Sequence, residues 1–145
     1  MSMVDVSKKP EVFRQATARG TIKLKAGTVQ LIRKGKIEKG DVFTLAKTAG
    51  ILAAKKTSEI IPLCHPLPLT NVDIAIKIID DSSVAVEATV KAHAKTGVEM
   101  EALTAVSAAL LTIWDMAKKH EKDSEGQYPT TAISDIKVLS KVKQQ

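Results

Sequence analysis

Asp115 and Lys118 stand three residues apart in the run "TIWDMAKK", an acid and an amine close enough to pair if the segment is helical. At helical pitch Glu101, Thr104, Thr112 and Asp115 fall within roughly an 80° sector, with Lys118 about 60° from Asp115. A helix otherwise apolar nearly all round therefore carries one narrow polar line. Two readings follow. The line is a solvated stripe with a surface ion pair, or it is the wall of an active site. In the second case desolvation would bring the acid and the amine toward neutrality, where each suits proton transfer.

A second concentration of chemistry is "PLCHPLPL", Pro62 to Leu69. It holds the single cysteine, Cys64, one of three histidines, His65, and three of the five prolines. Cys beside His resembles a nucleophile with its base, but adjacent residues of an extended chain point to opposite faces. A zinc site would need three or four ligands, and His93 and His120 stand alone with no CxxC pair. That leaves a small buried thiol and a hydrogen-bonded imidazole in a loop stiffened by proline, or a rigid ligand-binding strip of the same residues.

Lesser signals surround these. Lys95-Thr96-Gly97 opens the long helix and offers a positive approach to free N–H groups. Glu99 lies about 160° around that helix from Glu101, so that if both matter one faces another subunit. Lys36, Lys39, Lys55, Lys56 and Lys141 recur at the ends of elements. Each reads as a solvated lysine or, gathered on one pocket, as part of a phosphate site.

The elements that must position these groups follow from hydrophobic period. Residues 12–24 alternate loosely as a strand with a break near Gly20. "AGTVQLIRKG" is a short helix closed by Gly35. A second helix begins at Asp41 as N-cap, with Val42, Leu45, Ala46, Ala49, Leu52 and Ala53 as its apolar face, weakened slightly by Gly50. "LTNVDIAIKIID" and "SVAVEATVKAHA" alternate cleanly around a "DDSS" hairpin turn, then come the long helix, a loop and a last strand, "AISDIKVLSKV". Strand, helices, strand, strand, helix, strand is the split βαβ pattern. It predicts an α+β, ferredoxin-like domain spanning 1–145, an antiparallel sheet with helices packed on one face.

The chain has 145 residues, 44% of them hydrophobic and 26% charged, with a formal net charge of +6. That balance favours an anionic partner. Aromatics are only 3%, a poor platform for stacked bases, so phosphate rather than base stacking is the better target. One cysteine excludes an internal disulfide and fits a reducing cytoplasm. No apolar leader opens the sequence, and no segment reaches the ~18 unbroken apolar residues of a membrane helix.

Taken together, "MVDVS", "KGDV", "AGILAAKKT", "IPLCHPLPL", "KTGVEMEALTAVSAALLTIWDMAK" and "IKVLSK" resemble the cyclic pyranopterin monophosphate synthase (MoaC) family of molybdenum-cofactor biosynthesis, from about Met3 to Lys141. The resemblance implies a ferredoxin-like fold and a homohexamer, a trimer of dimers, with the site at a subunit interface. It implies conversion of 3′,8-cyclo-7,8-dihydroguanosine 5′-triphosphate to cyclic pyranopterin monophosphate with release of pyrophosphate, without metal or organic cofactor. It also implies a functional link to the radical enzyme that makes the substrate. By motif, Asp115 and Lys118 match the catalytic acid/base and lysine, and Lys39 in "KGDV" another functional lysine. Leu63, Cys64 and His65 match a substrate-contacting loop, Met100 and Glu101 a second contact, and Lys55 and Lys141 lysines suited to the triphosphate. The chain departs from the family pattern in a longer 119–135 segment, a shortened tail "VKQQ" and Trp114 where tyrosine is usual. The charge alone leaves open a small basic nucleic-acid-binding module of the same fold, and the fold alone a non-catalytic assembly subunit.

Overall fold

The computed structural model describes residues 1–145. In chain order its elements are β1 (Val12–Lys23), α1 (Ala26–Arg33), α2 (Val42–Lys55), α3 (Thr57–Ile60), β2 (Leu69–Asp80), β3 (Ser83–Ala94), α4 (Glu99–Glu121) and β4 (Ala132–Gln144). The strands form one antiparallel sheet in the order β2-β3-β1-β4, the ferredoxin-like arrangement. Every second residue of β1 from Val12 to Ile22 is buried, as are Val84, Val86, Ala88, Val90, Ala92 and Ala94 of β3. This period of two sends one face of the sheet to the helices. A single cluster of 25 buried residues, built largely of Ala and Val, joins that face to α1, α2 and α4.

Local chemistry sets most boundaries. Asp41 caps α2 by accepting the Thr44 N–H at 2.9 Å. After α1, Gly35 at φ +66 completes a Schellman turn: Gly35 N–H donates to Ile32 O at 3.1 Å and Lys36 N–H to Leu31 O at 2.8 Å. Between β2 and β3 the turn is Asp81-Ser82, with Asp80 Oδ1 accepting the Ser82 N–H at 2.9 Å.

Three expectations change. β1 does not break at Gly20, since it pairs with β3 in unbroken register from Val12↔Ala94 to Lys23↔Ser83. The irregularity lies across from it, where β4 shifts register and Asp135 takes φ 58. The apolar face of α2 is not centred on its leucines. Leu45 and Leu52 are about half exposed, while Val42, Ala46, Gly50, Ala53 and Ala54 are buried. The reason is proximity: a Cβ on Gly50 would sit 3.1 Å from the Ala105 carbonyl oxygen and 3.6 Å from Ala109 Cβ. Two helices this close admit small residues at their contact, so the leucines are displaced outward. The third change is α3, a single turn ahead of the proline loop.

α4 is long and apolar enough to cross a membrane, but half of its most apolar stretch is buried inside the fold. Ala102, Ala105, Val106, Ala109, Leu110, Ile113, Met116 and Ala117 make it the central core helix.

Candidate active site

The two ends of α4 carry different groups. Near its C-terminal end the Asp115 carboxylate is held between two ammonium groups: Oδ1 lies 3.1 Å from Lys118 Nζ and Oδ2 3.2 Å from Lys39 Nζ. Lys39 also donates to the Asp115 backbone carbonyl at 3.0 Å. Lys39 arrives there because the 36–40 loop is pinned at both sides. Ile37 is buried, and Glu38 accepts from His120 at 3.0 Å and approaches Lys119 at 4.0 Å. The sequence places Lys39 about 76 residues from Asp115, yet the Schellman turn and the Asp41 cap fix the loop between them.

This cluster is not desolvated within one chain, because the side chains of Asp115, Lys39 and Lys118 are 58%, 46% and 43% exposed. The Asp115 carboxyl is held below the usual carboxylate range, first by the hydrogen bond from Lys118 and then by that from Lys39. Within one chain the neighbouring cations outweigh burial, so Asp115 is an ionised carboxylate and not the acid raised by desolvation that the active-site reading anticipates. Within one chain this end of the stripe faces solvent, and its ion pair has a third member, Lys39, that helical periodicity did not foresee.

At the N-terminal end the polar line turns inward. Glu101 is only 4% exposed, and burial pushes its carboxyl pKa up. It shares a cavity of about 310 Å³ with Leu63, Cys64, His65 and Met100. Burial, and secondarily the Glu101 charge, also raise the Cys64 thiol, which keeps it protonated and a poor nucleophile. His65 Nε2 lies 2.7 Å from the Val4 carbonyl oxygen, so the N-terminal arm closes one side of this cavity. Glu99 and Glu101, expected to diverge, both reach it: Glu101 buries inward, and Glu99 folds back over Gly97.

Lys141 on β4 approaches Glu99 Oε1 at 3.5 Å without hydrogen-bond geometry, and that buried oxygen has no other donor. It is therefore engaged by a carboxylate rather than standing free. Lys55 ends α2, is exposed and makes no ion pair. The structure thus gathers nine of the ten candidates into two groups rather than one, and Lys55 joins neither. Glu101 and Asp115 are fourteen residues apart on one helix, about 21 Å at 1.5 Å per residue.

Two buried charges were not signalled by any motif. Arg14, 6% exposed, donates from Nε to Ala94 O at 3.4 Å and from Nη2 to Lys95 O at 3.2 Å, under the start of α4. Its place on the inward parity of β1 was the available signal. Glu121, 0% exposed, accepts from Lys25 N–H at 3.0 Å, from Thr131 Oγ1 at 2.6 Å and from Thr28 Oγ1. It ties the end of α4 to the start of α1 and to the approach to β4.

A family model described as the MoaC family matches residues 3–144. A Saccharolobus solfataricus protein named probable cyclic pyranopterin monophosphate synthase is 62% identical over 142 residues, covering 98% of this chain and 95% of its own. A Thermococcus kodakarensis protein of the same name is 59% identical over 145 residues, covering 99% and 91%. A Methanothermobacter thermautotrophicus relative, 59% identical over 141 residues with 97% and 88% covered, is named as a probable accessory protein of that synthase.

Proposed function

Because the chain belongs to the MoaC family, we propose that it converts 3′,8-cyclo-7,8-dihydroguanosine 5′-triphosphate to cyclic pyranopterin monophosphate and pyrophosphate, a lyase step of molybdenum-cofactor biosynthesis. Residues 1–145 act as one synthase domain, in the cytoplasm, on the product of a radical enzyme. The observation that carries the reading is the carboxylate of Asp115 set between Lys39 and Lys118 at 3.2 and 3.1 Å.

The chemistry matches those groups. Opening and rebuilding the substrate ring breaks and forms C–N and C–O bonds, which requires protons to be moved between carbon, nitrogen and oxygen. An ionised Asp115 accepts them, and Lys118 beside it donates. Closing the cyclic phosphate forms a new bond from a sugar hydroxyl to the α-phosphorus. The bond to pyrophosphate breaks, and the hydroxyl proton passes to a base. Lysine ammonium groups stabilise the charge on the departing pyrophosphate. Exposed ion pairs are worth little, so an arriving phosphate can take Lys39 or Lys118 from Asp115 and free the carboxylate to act.

Leu63, Cys64, His65, Met100 and Glu101 serve as substrate contacts, with Lys55 and Lys141 turned to the triphosphate. Since Glu101 lies some 21 Å along α4 from Asp115, one reacting carbon cannot touch both carboxylates of a single copy. A second copy supplies the missing end, in the homohexamer, a trimer of dimers, that the family resemblance implies. The net charge of +6 then serves a triphosphate, and a nucleic-acid module is not favoured. The test is incubation of purified protein with the cyclic triphosphate and detection of pyranopterin and pyrophosphate. Absence of both products would return the chain to a non-catalytic role of the accessory kind.

A further inference from the structure

Lys39 is the one member of the Asp115 cluster that does not belong to α4, so its position depends on a loop. That loop is a tight turn. Gly40 N–H donates to Ile37 O at 3.1 Å, which puts Glu38 and Lys39 at the two corner positions. Ile37, 5% exposed, anchors the turn in the core. Both corner residues then reach the last turns of α4. Lys39 goes to Asp115, and Glu38 goes to His120, five residues further on, with Oε2 3.0 Å from His120 Nε2. Lys119 Nζ stands 4.0 Å from the other Glu38 oxygen.

The surroundings of His120 leave it one acidic partner. Glu38 faces it from the loop, Lys119 precedes it on α4, and Lys25, at the start of α1, lines a depression with it. Glu121, the next residue, is turned into the core and accepts from Lys25 N–H, Thr28 and Thr131. Basic groups suit this last turn, where the carbonyl ends of the helix are negative. The Glu38 carboxyl is held below its usual range, first by its own backbone N–H and then by His120.

We propose that Glu38 and His120 form a latch that positions Lys39 against Asp115. They are positioning residues of the reaction, and neither touches substrate. The proposal rests on the synthase reading. The need for a latch lies in Lys39 itself. Its bonds to Asp115 are exposed, and exposed pairs are weak. When a phosphate draws the Lys39 ammonium away, the turn loses its hold at that corner. The Glu38–His120 bond is made at the other corner by other atoms. It survives the exchange and keeps Lys39 within reach of both partners. Holding a reacting group in place counts for more in rate than such a bond does in stability.

The test reads Asp115, because the latch acts there through Lys39. Titration of the Asp115 carboxyl by carbon NMR should give a higher pKa in Glu38→Gln and in His120→Ala than in wild type, toward the value in Lys39→Ala. The sign is diagnostic for Glu38→Gln, since loss of a nearby negative charge would by itself lower the Asp115 pKa. In a Lys39→Ala background Glu38→Gln should raise it no further. His120→Gln, whose amide nitrogen takes the place of Nε2, should keep the wild-type value. In the product assay kcat should fall about tenfold in Glu38→Gln and His120→Ala, with KM within about twofold, and His120→Gln should keep kcat. Their Tm should stay within a few degrees of wild type, as for any exposed pair. A lowered or unmoved Asp115 pKa in Glu38→Gln, an equal rise without Lys39, or unchanged kcat in both variants overturns the latch. So does a loss of kcat that follows Tm or oligomeric mass, which would make the pair an ordinary structural contact. If the titrations behave as expected but wild-type protein makes no product, the synthase reading fails while the latch stands.

Discussion

At the scale of single residues, the difference between Asp115 and Glu101 decides the chemistry available. Both are carboxylates on one helix, yet lysines depress the first and burial raises the second. Asp115→Asn and Lys118→Ala should each fold normally and lose product formation by about 10²-fold or more, the usual loss for a general acid or base. Cys64→Ser should retain turnover, because a protonated, half-buried thiol is not the nucleophile; loss of turnover with binding intact would reverse that assignment. For Glu101 the sign follows from its raised pKa. Folding favours the neutral form, so the stability associated with it is present at low pH and falls as pH rises through the folded pKa. Glu101→Gln, which does not titrate, should melt above wild type at neutral pH, and the gap should close on acidification. Parallel melting curves across pH would show that the carboxyl is not perturbed.

At the scale of elements, the α2–α4 contact is set by a missing side chain. Gly50 lets the Ala105 carbonyl come within 3.1 Å of where a Cβ would stand, with the Ile74 side chain closer still. Backbone cannot yield as a side chain can, so Gly50→Ala is an overpacking substitution of about 1–3 kcal/mol, which lowers Tm by roughly 3–10 °C. Thermal unfolding by circular dichroism checks this. Gly20→Ala should cost less, because the atoms it meets, Leu110 Cδ1 at 2.8 Å, Ile136 Cγ1 at 2.9 Å and Val106 Cγ1 at 3.0 Å, belong to side chains, which yield more readily than backbone. The consequence reaches the site: α2 follows directly on the loop that carries Lys39, so any shift of α2 against α4 moves Lys39 relative to Asp115.

At the scale of the whole molecule, the two groups at opposite ends of α4 make a prediction about assembly. If each site takes Asp115 from one copy and His65 from another, Asp115→Asn and His65→Ala proteins should each be inactive alone. Mixed oligomers formed by co-refolding should regain turnover, because some sites then contain neither substitution. A mixture that stays inactive, with mixed oligomers verified by mass, would place the whole site within one chain.

What was readable from residue order is what depends on near neighbours. The strands showed their period of two, Asp41 its cap, Gly35 its turn and Asp115–Lys118 their helical spacing, because each is decided within a few positions. Even the family was legible, since its motifs are contiguous words. Distances between elements were not. Lys39 meets Asp115 through a pinned loop, Leu45 and Leu52 turn outward because Gly50 draws two helices together, and Glu101 is buried while Asp115 on the same stripe is not. Tyr128 against Trp114 belongs to the same class. Helical periodicity assigns a direction around an axis; only packing determines what lies in that direction, and so which charges are desolvated, which are paired and which are left for a substrate.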